Sequence, residues 1–264
     1  MKTITTVITL ASWLIVGAVN AADKQNKTGA VPLDKAVLEP GKIAKIDDPK
    51  TGGWEYWTLY VPKDYTTDRA WPIIYCYHGM DQEAKVWPFR ELTDGVGFIV
   101  VGMEYMNRNV GGPKADKELA NLKRIHDLLA KRLKINDKLQ FIGGFSQGGW
   151  ETGHIAEKEP ELFAGMIITG AGRNNSGATP RVRGLPIFIG IGEKDESRPR
   201  AEEAAKFYRS KGADVTLEIF QGTGHGVSTK DPVLKTWLKD QAAKPATKPV
   251  GPKVTTLEDL RRTR

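Results

Sequence analysis

The sequence predicts an α/β fold: a mainly parallel sheet of eight strands with helices on both faces. Three observations lead there. After an opening hairpin, β-rich apolar runs alternate with segments of helical periodicity, the pattern of parallel strands joined by covering crossovers. The chain has 264 residues, 40% of them hydrophobic, which suits one sizeable core and not two full domains. The fifth predicted strand runs straight into Gly144-Phe145-Ser146-Gln147-Gly148, where small residues allow a sharp strand-to-helix turn.

Residues 1–21 read as a signal peptide. Lys2 supplies the basic start, residues 8–18 are mostly apolar but too short to span a bilayer, and Val19-Asn20-Ala21 offers a cleavage site before Ala22. Export to the periplasm or the medium is the expectation, with no stable membrane insertion after cleavage. Residues 22–32 read as a flexible lead-in and 33–240 as the folded domain. Residues 41–46 and 54–61 flank Asp48-Pro49-Lys50-Thr51-Gly52-Gly53 as an antiparallel hairpin. Residues 73–77 and 98–103 are the third and fourth strands. Leu119, Leu122, Ile125, Leu129 and Leu133 recur at helical spacing, so residues 114–135 hold an amphipathic helix facing the core. Residues 139–143 form the fifth strand and 147–158 a helix; 164–169, 186–191 and 215–220 are the last three strands. A helix over 199–211 ends near Gly212. Another starts at Asp231-Pro232, with Asp as N-cap and Pro at the first helical position. From residue 241 the chain turns Ala/Lys/Pro-rich and is expected to be a disordered basic tail.

The net charge of +7 is uneven. Lys2 contributes one charge and the residues from Gln241 onward a net four, leaving two for residues 22–240. A nearly neutral body argues against a nucleic-acid-binding face. The one cysteine, Cys76, lies in the apolar run Ile73-Ile74-Tyr75-Cys76-Tyr77 and reads as a core thiol. With a single cysteine there is no intramolecular disulfide.

A serine hydroxyl is a weak nucleophile unless it is held at an exposed turn beside a base. Ser146, between Gly144 and Gly148, has such a setting. A nucleophile needs a histidine base and a carboxylate to orient it, both past later strand ends. Of the four histidines, His126 and His154 fall on helices and read as packing residues. His225, in Gly224-His225-Gly226 after the eighth strand, is the candidate base. The loop after the seventh strand holds Glu193, Asp195 and Glu196; Asp195 is preferred for its shorter, stiffer side chain, with the two glutamates as alternatives. Oxyanion donors are expected from the backbone N–H of Gln147 and of Met80, with His78 and Gly79 shaping the loop that carries Met80. Trp87, Phe89, Tyr105 and Trp150 lie near the loops that ring the site and could form an aromatic subsite. The histidines lack zinc-ligand spacing, and no G-x-G-x-x-G follows a strand, so neither a metal nor an organic cofactor is expected.

In combination, Tyr77-His78-Gly79, Phe141-Ile142-Gly143-Gly144-Phe145-Ser146-Gln147-Gly148-Gly149, Pro160-Glu161-Leu162-Phe163-Ala164-Gly165, Gly192-Glu193-Lys194-Asp195 and Gly224-His225-Gly226 resemble the α/β-hydrolases. Within them the chain looks most like the phospholipase/carboxylesterase branch and the related feruloyl-esterase and polyhydroxybutyrate-depolymerase-like enzymes. The resemblance covers residues 54–239 and implies a serine ester hydrolase acting on a small or polymer-linked ester. One departure is Met80-Asp81-Gln82, where such families often carry a second glycine after His-Gly. The resemblance also implies the α/β-hydrolase fold, and the short connection between the sixth and seventh strands leaves no large cap domain at that place. Peptide hydrolysis or acyl transfer on the same residues, and a non-catalytic binding module on this scaffold, are the alternatives.

Overall fold

Strand β4 (Trp71–Tyr77) shows how the sequence builds the sheet. Ile73, Tyr75 and Tyr77 join one core cluster with Leu119, Leu122, Ile125 and Leu129; Ile74 and Cys76 join a second with Phe89, Val100 and Trp237. A strand that is apolar on both faces has to be covered on both. The computed structural model describes residues 29–106, 115–173 and 181–244, so the predicted signal peptide and the tail beyond Lys244 lie outside the described residues.

Nine strands form one sheet in the order β1 (Val31–Pro32), β2 (Ile43–Asp47), β3 (Tyr56–Tyr60), β5 (Ile99–Met103), β4, β6 (Ile135–Phe145), β7 (Gly165–Thr169), β8 (Pro186–Gly192) and β9 (Asp214–Phe220). β3 is antiparallel to β2 and to β5, and every other pairing is parallel. All eight expected strands are present. The ninth, β1, corrects the reading of residues 22–32 as a wholly flexible lead-in: Val31 pairs with Ile46 and Pro32 with Asp47. Two residues are too few for periodicity to register. Arg132 holds the segment that follows by donating to the carbonyls of Leu33 and Ala36.

Helices α2 (Ala115–Ala130), α3 (Gln147–Ala156) and α4 (Arg198–Ser210) contribute buried residues to one core cluster, and α1 (Phe89–Leu92) and α5 (Pro232–Ala243) to the other. α2 stops at Ala130, short of the expected limit, because the chain must turn to start β6: Trp71 N–H donates to Lys134 O at 2.9 Å, and Ile135 already pairs with Trp71. Leu133 is buried all the same. Asp231 caps α5 as expected, accepting from the N–H groups of Val233 and Leu234 at 2.9 and 3.1 Å. α5 continues to Ala243 and buries Gln241, so the fold extends past the expected boundary at 240. No helix among the described residues is long and apolar enough to cross a membrane.

β4 and β5 exchange places relative to chain order, so β6 returns to the other side of β4. A crevice opens at the C-terminal strand ends where a parallel sheet reverses direction in this way. Cys76 pairs with Gly143 and Tyr77 with Gly144, which sets the residues that leave β4 beside those that leave β6.

Candidate active site

Ser146 sits between β6 and α3 with φ 56° and ψ −117°, a backbone state that non-glycine residues rarely adopt. The strain is held by its neighbours. Ser146 N–H donates to Thr169 O at 2.9 Å, and Thr169 Oγ1 donates to Gly144 O at 2.8 Å, so β7 clamps both sides of the turn. Close approach explains the two glycines. A Cβ on Gly144 would lie 2.3 Å from the Gly148 backbone, and one on Gly148 would lie 2.1 Å from Tyr77 O.

His225 Nε2 lies 2.9 Å from Ser146 Oγ, and His225 Nδ1 lies 2.7 Å from Asp195 Oδ2. Asp195 is buried while the His225 ring is half-exposed, so the carboxylate anchors the imidazole from inside and leaves its far edge toward solvent. Among the three carboxylates of the loop after β8, geometry selects Asp195. Its Oδ1 accepts from Ser197 N–H at 2.8 Å, which orients the carboxyl group. Glu193 instead accepts from Gly222 N–H at 2.8 Å and braces the loop that carries His225, while Glu196 is exposed. The two loops are also joined by Glu193 N–H to Phe220 O at 3.0 Å and Lys194 N–H to Thr223 O at 2.9 Å. Sequence reading missed these braces, because they depend on loop spacing in space.

The loop after β4 lies against the same turn. His78 is buried, and its Nδ1 donates to Gly79 O at 2.7 Å. Asp81 adopts φ 55°, so it takes the left-handed conformation that a glycine would adopt without strain. Gln147 is the first residue of α3, where helical N–H groups have no acceptor within the helix. His126 and His154 stay with packing: His126 Nδ1 meets Tyr75 Oη at 2.7 Å, and His154 is buried on α3.

The expected aromatic subsite divides. Phe89 is fully buried, and its ring fills the space a Cβ on Gly143 would take, so it is core and not subsite. Tyr105 is also buried, with its hydroxyl spent on His78 O at 2.6 Å. Trp87 and Trp150 are partly buried, Trp150 against the core. Trp87 stands edge-on to Phe145 at 5.5 Å, and Phe145 lies 5.1 Å from the His225 ring, so Trp87 borders the site through Phe145. Trp150 is one helical turn beyond Ser146, with the Arg200 guanidinium 5.8 Å from its ring. Cys76 is buried, and burial pushes its thiol far above the usual range. No group of three or more His, Cys, Asp or Glu among the described residues could hold a metal ion.

The model of the dienelactone hydrolase family matches residues 105–249, just over half of the chain. The chain belongs to the dienelactone hydrolase family. That membership places it on the α/β-hydrolase fold. This family member is similar to the bifunctional acetylxylan esterase/xylanase XynS20E of Neocallimastix patriciarum, at 28% identity over 163 residues. The match covers 58% of this chain and 23% of that protein, so the chain spans less than a quarter of that relative's length. Among solved structures it resembles a thermostable esterase (TM-score 0.59, 22% identity, 75% of this chain and 62% of that one). It also resembles FphF, a fluorophosphonate-binding serine hydrolase of Staphylococcus aureus (TM-score 0.58, 13% identity, 78% of this chain and 100% of that one). Est1E of Butyrivibrio proteoclasticus is a third (TM-score 0.54, 16% identity, 72% of this chain and 96% of that one). At such identities the likeness is one of fold.

Behind the site, this dienelactone hydrolase relative buries carboxylates in its core. Burial pushes Glu118 up to about 7, against the pull of the Met106 N–H that donates to its Oε1 at 2.8 Å; the charges of Glu151 and Glu104 push the same way. Burial alone pushes Glu151 up to about 7. The ordinary value is 4.5, so between pH 4.5 and about 7 the folded protein binds protons that the unfolded chain has released. Stability therefore falls as pH rises through that window, by up to about 3 kcal/mol per group. Glu151→Gln is expected to raise the melting temperature at pH 8 and change it little at pH 5. Thermal melts of both proteins across pH check this, and equal pH dependence in the two would refute it.

Proposed function

We propose that the protein hydrolyses carboxylic esters through an acyl-enzyme on Ser146. The observation that carries this reading is the continuous chain from Ser146 Oγ to His225 at 2.9 Å and from His225 to Asp195 at 2.7 Å. His225 Nε2 takes the hydroxyl proton as Oγ attacks the ester carbonyl. The negative charge on the carbonyl oxygen is met by the backbone N–H groups of Met80 and Gln147. His225 then gives its proton to the departing alcohol as the ester C–O bond breaks, leaving an acyl group on Ser146. Water, deprotonated by the same imidazole, attacks the acyl carbonyl. The acid is released, and the proton returns to Ser146 Oγ. Asp195, bonded to Nδ1, keeps that nitrogen protonated and Nε2 free to act as base.

Substrates on this reading are short acyl esters, including those carried on polymers. The half-exposed His225 ring supports an open site, and the relative described as an acetylxylan esterase/xylanase supports acetylated polysaccharide as one class. The test is intact-mass and peptide mapping after brief reaction with a p-nitrophenyl ester, followed by a panel of p-nitrophenyl esters, acetylated xylan, feruloyl esters and aminoacyl amides. An acyl adduct on Ser146 with ester turnover well above amide turnover is expected. An adduct elsewhere, or faster amide cleavage, overturns the reading. The same mass spectrum, taken on protein recovered from the exporting cell, starts at Ala22 if residues 1–21 are a signal peptide and at Met1 if they are not.

A further inference from the structure

Tyr105 enters with no role once it is removed from the substrate subsite, yet its surroundings are built with care for one contact. It lies two residues past the end of β5, and His78 lies one residue past the end of β4; the two strands pair through Tyr77 and Met103. That register brings the Tyr105 hydroxyl to His78 O at 2.6 Å and its ring edge-on to the His78 imidazole at 4.6 Å between centroids. Burial, with the charges of Glu151 and Glu118, raises the Tyr105 hydroxyl well above its ordinary range, so it stays protonated and donates.

The contact matters because of what His78 does next. Its Nδ1 donates to Gly79 O at 2.7 Å, which ties the carbonyl of the Gly79–Met80 peptide to a buried ring. Across a trans peptide the C=O of one residue and the N–H of the next point in opposite directions. Holding Gly79 O inward against the His78 ring therefore turns the Met80 N–H the other way. The Met80 side chain is exposed and packs too little to fix the loop by itself.

We propose that Tyr105 is a positioning residue for ester hydrolysis: it locks the carbonyl and the ring of His78, and His78 in turn holds the Met80 N–H where the oxyanion forms. The inference rests on the esterase reading of Ser146 given above. Tyr105 touches no reacting atom; it acts through two hydrogen bonds in series. Without its hydroxyl the His78 carbonyl loses that donor and the loop is free to shift, and a misplacement of about 1 Å at a positioned group is enough to cost about 10²-fold in rate.

The experiment compares Tyr105→Phe with the wild-type chain on several p-nitrophenyl esters, with Ser146→Ala as a parallel control. Tyr105→Phe is expected to lower kcat by about 10- to 100-fold with KM within about twofold, by a similar factor for every acyl chain, because the oxyanion is common to all. Affinity for a trifluoromethyl ketone, whose adduct carries the oxyanion, falls by the same factor as kcat/KM. A purely structural residue would lower the melting temperature without that parallel. If the phenylalanine variant does not fold, His78→Asn, which removes the ring that Tyr105 holds, is measured in the same way and the same loss is expected. A folded variant with kcat and ketone affinity within about twofold of wild type overturns the inference. Turnover retained by Ser146→Ala overturns the esterase reading instead, so the two failures are told apart.

Discussion

Ser146→Ala is expected to lower ester turnover by about 10⁴-fold or more and to leave the melting temperature close to that of the wild type. Alanine keeps the Cβ, so the strained φ of 56° costs the folded protein the same before and after the change. The lost hydrogen bond runs to a half-exposed imidazole, and bonds of that kind contribute little net stability in water. Almost all of the effect therefore falls on the chemical step, where the nucleophile itself is missing. Asp195→Asn is a companion: its amide oxygen takes the place that accepts from Ser197 N–H, so its NH2 group faces Nδ1 and donates to it, the imidazole is left in the wrong tautomer, and a loss of the same order follows. Steady-state turnover and thermal melts check both. Ser146→Ala activity above about 1% of wild type would show that another group carries the reaction.

Gly148→Ala is expected to destabilise the fold by about 3 kcal/mol and to lower kcat by about 10²-fold. Two effects compete. Alanine is favoured over glycine inside a helix by about 1 kcal/mol, and Gly148 is the second residue of α3. Against that, the new Cβ would lie 2.1 Å from Tyr77 O and 2.8 Å from His78 O, both main-chain atoms at the end of β4. Neither can turn aside as a side chain could, so α3 or the β4 loop must move. The clash outweighs the propensity gain. Either movement displaces one of the two groups proposed to bind the oxyanion, which is why activity falls further than stability alone requires. Gly153→Ala in the same helix meets only side-chain atoms, the Tyr208 hydroxyl at 3.0 Å and Ile168 Cδ1 at 4.0 Å, and should be far milder. Urea denaturation and kcat for the two variants give the comparison. Equal behaviour would mean that α3 does not pack against β4 as closely as these distances state.

Much of the site was legible in the chain because strand order determines which loops meet. Once β6 leads into Ser146, the loops after β8 and β9 are where its partners must lie, and Asp195 and His225 stand there. The elbow glycines were legible for the same reason: a strand that becomes a helix within two residues leaves no room for Cβ atoms. The choice of Asp195 over Glu193 and Glu196 was only a preference until Ser197 N–H and Gly222 N–H were seen to orient Asp195 and Glu193 to different tasks. Phe89 and Tyr105 show the limit most plainly. An aromatic side chain near a loop looks the same in sequence whether it faces substrate or core. The α1 turn that carries Phe89 has four residues, too few for a periodic signal.

By itself, then, the sequence determined the alternation of strands and helices, the strand-to-helix turn at Ser146 and the order of the residues that follow it. These rest on local physics: side-chain period, turn sterics and capping. Only the tertiary structure decided which carboxylate faces His225, which aromatics are buried, and that Tyr105 grips His78. Those depend on register between strands far apart in the chain, where displacements of a few ångströms choose between a hydrogen bond and none.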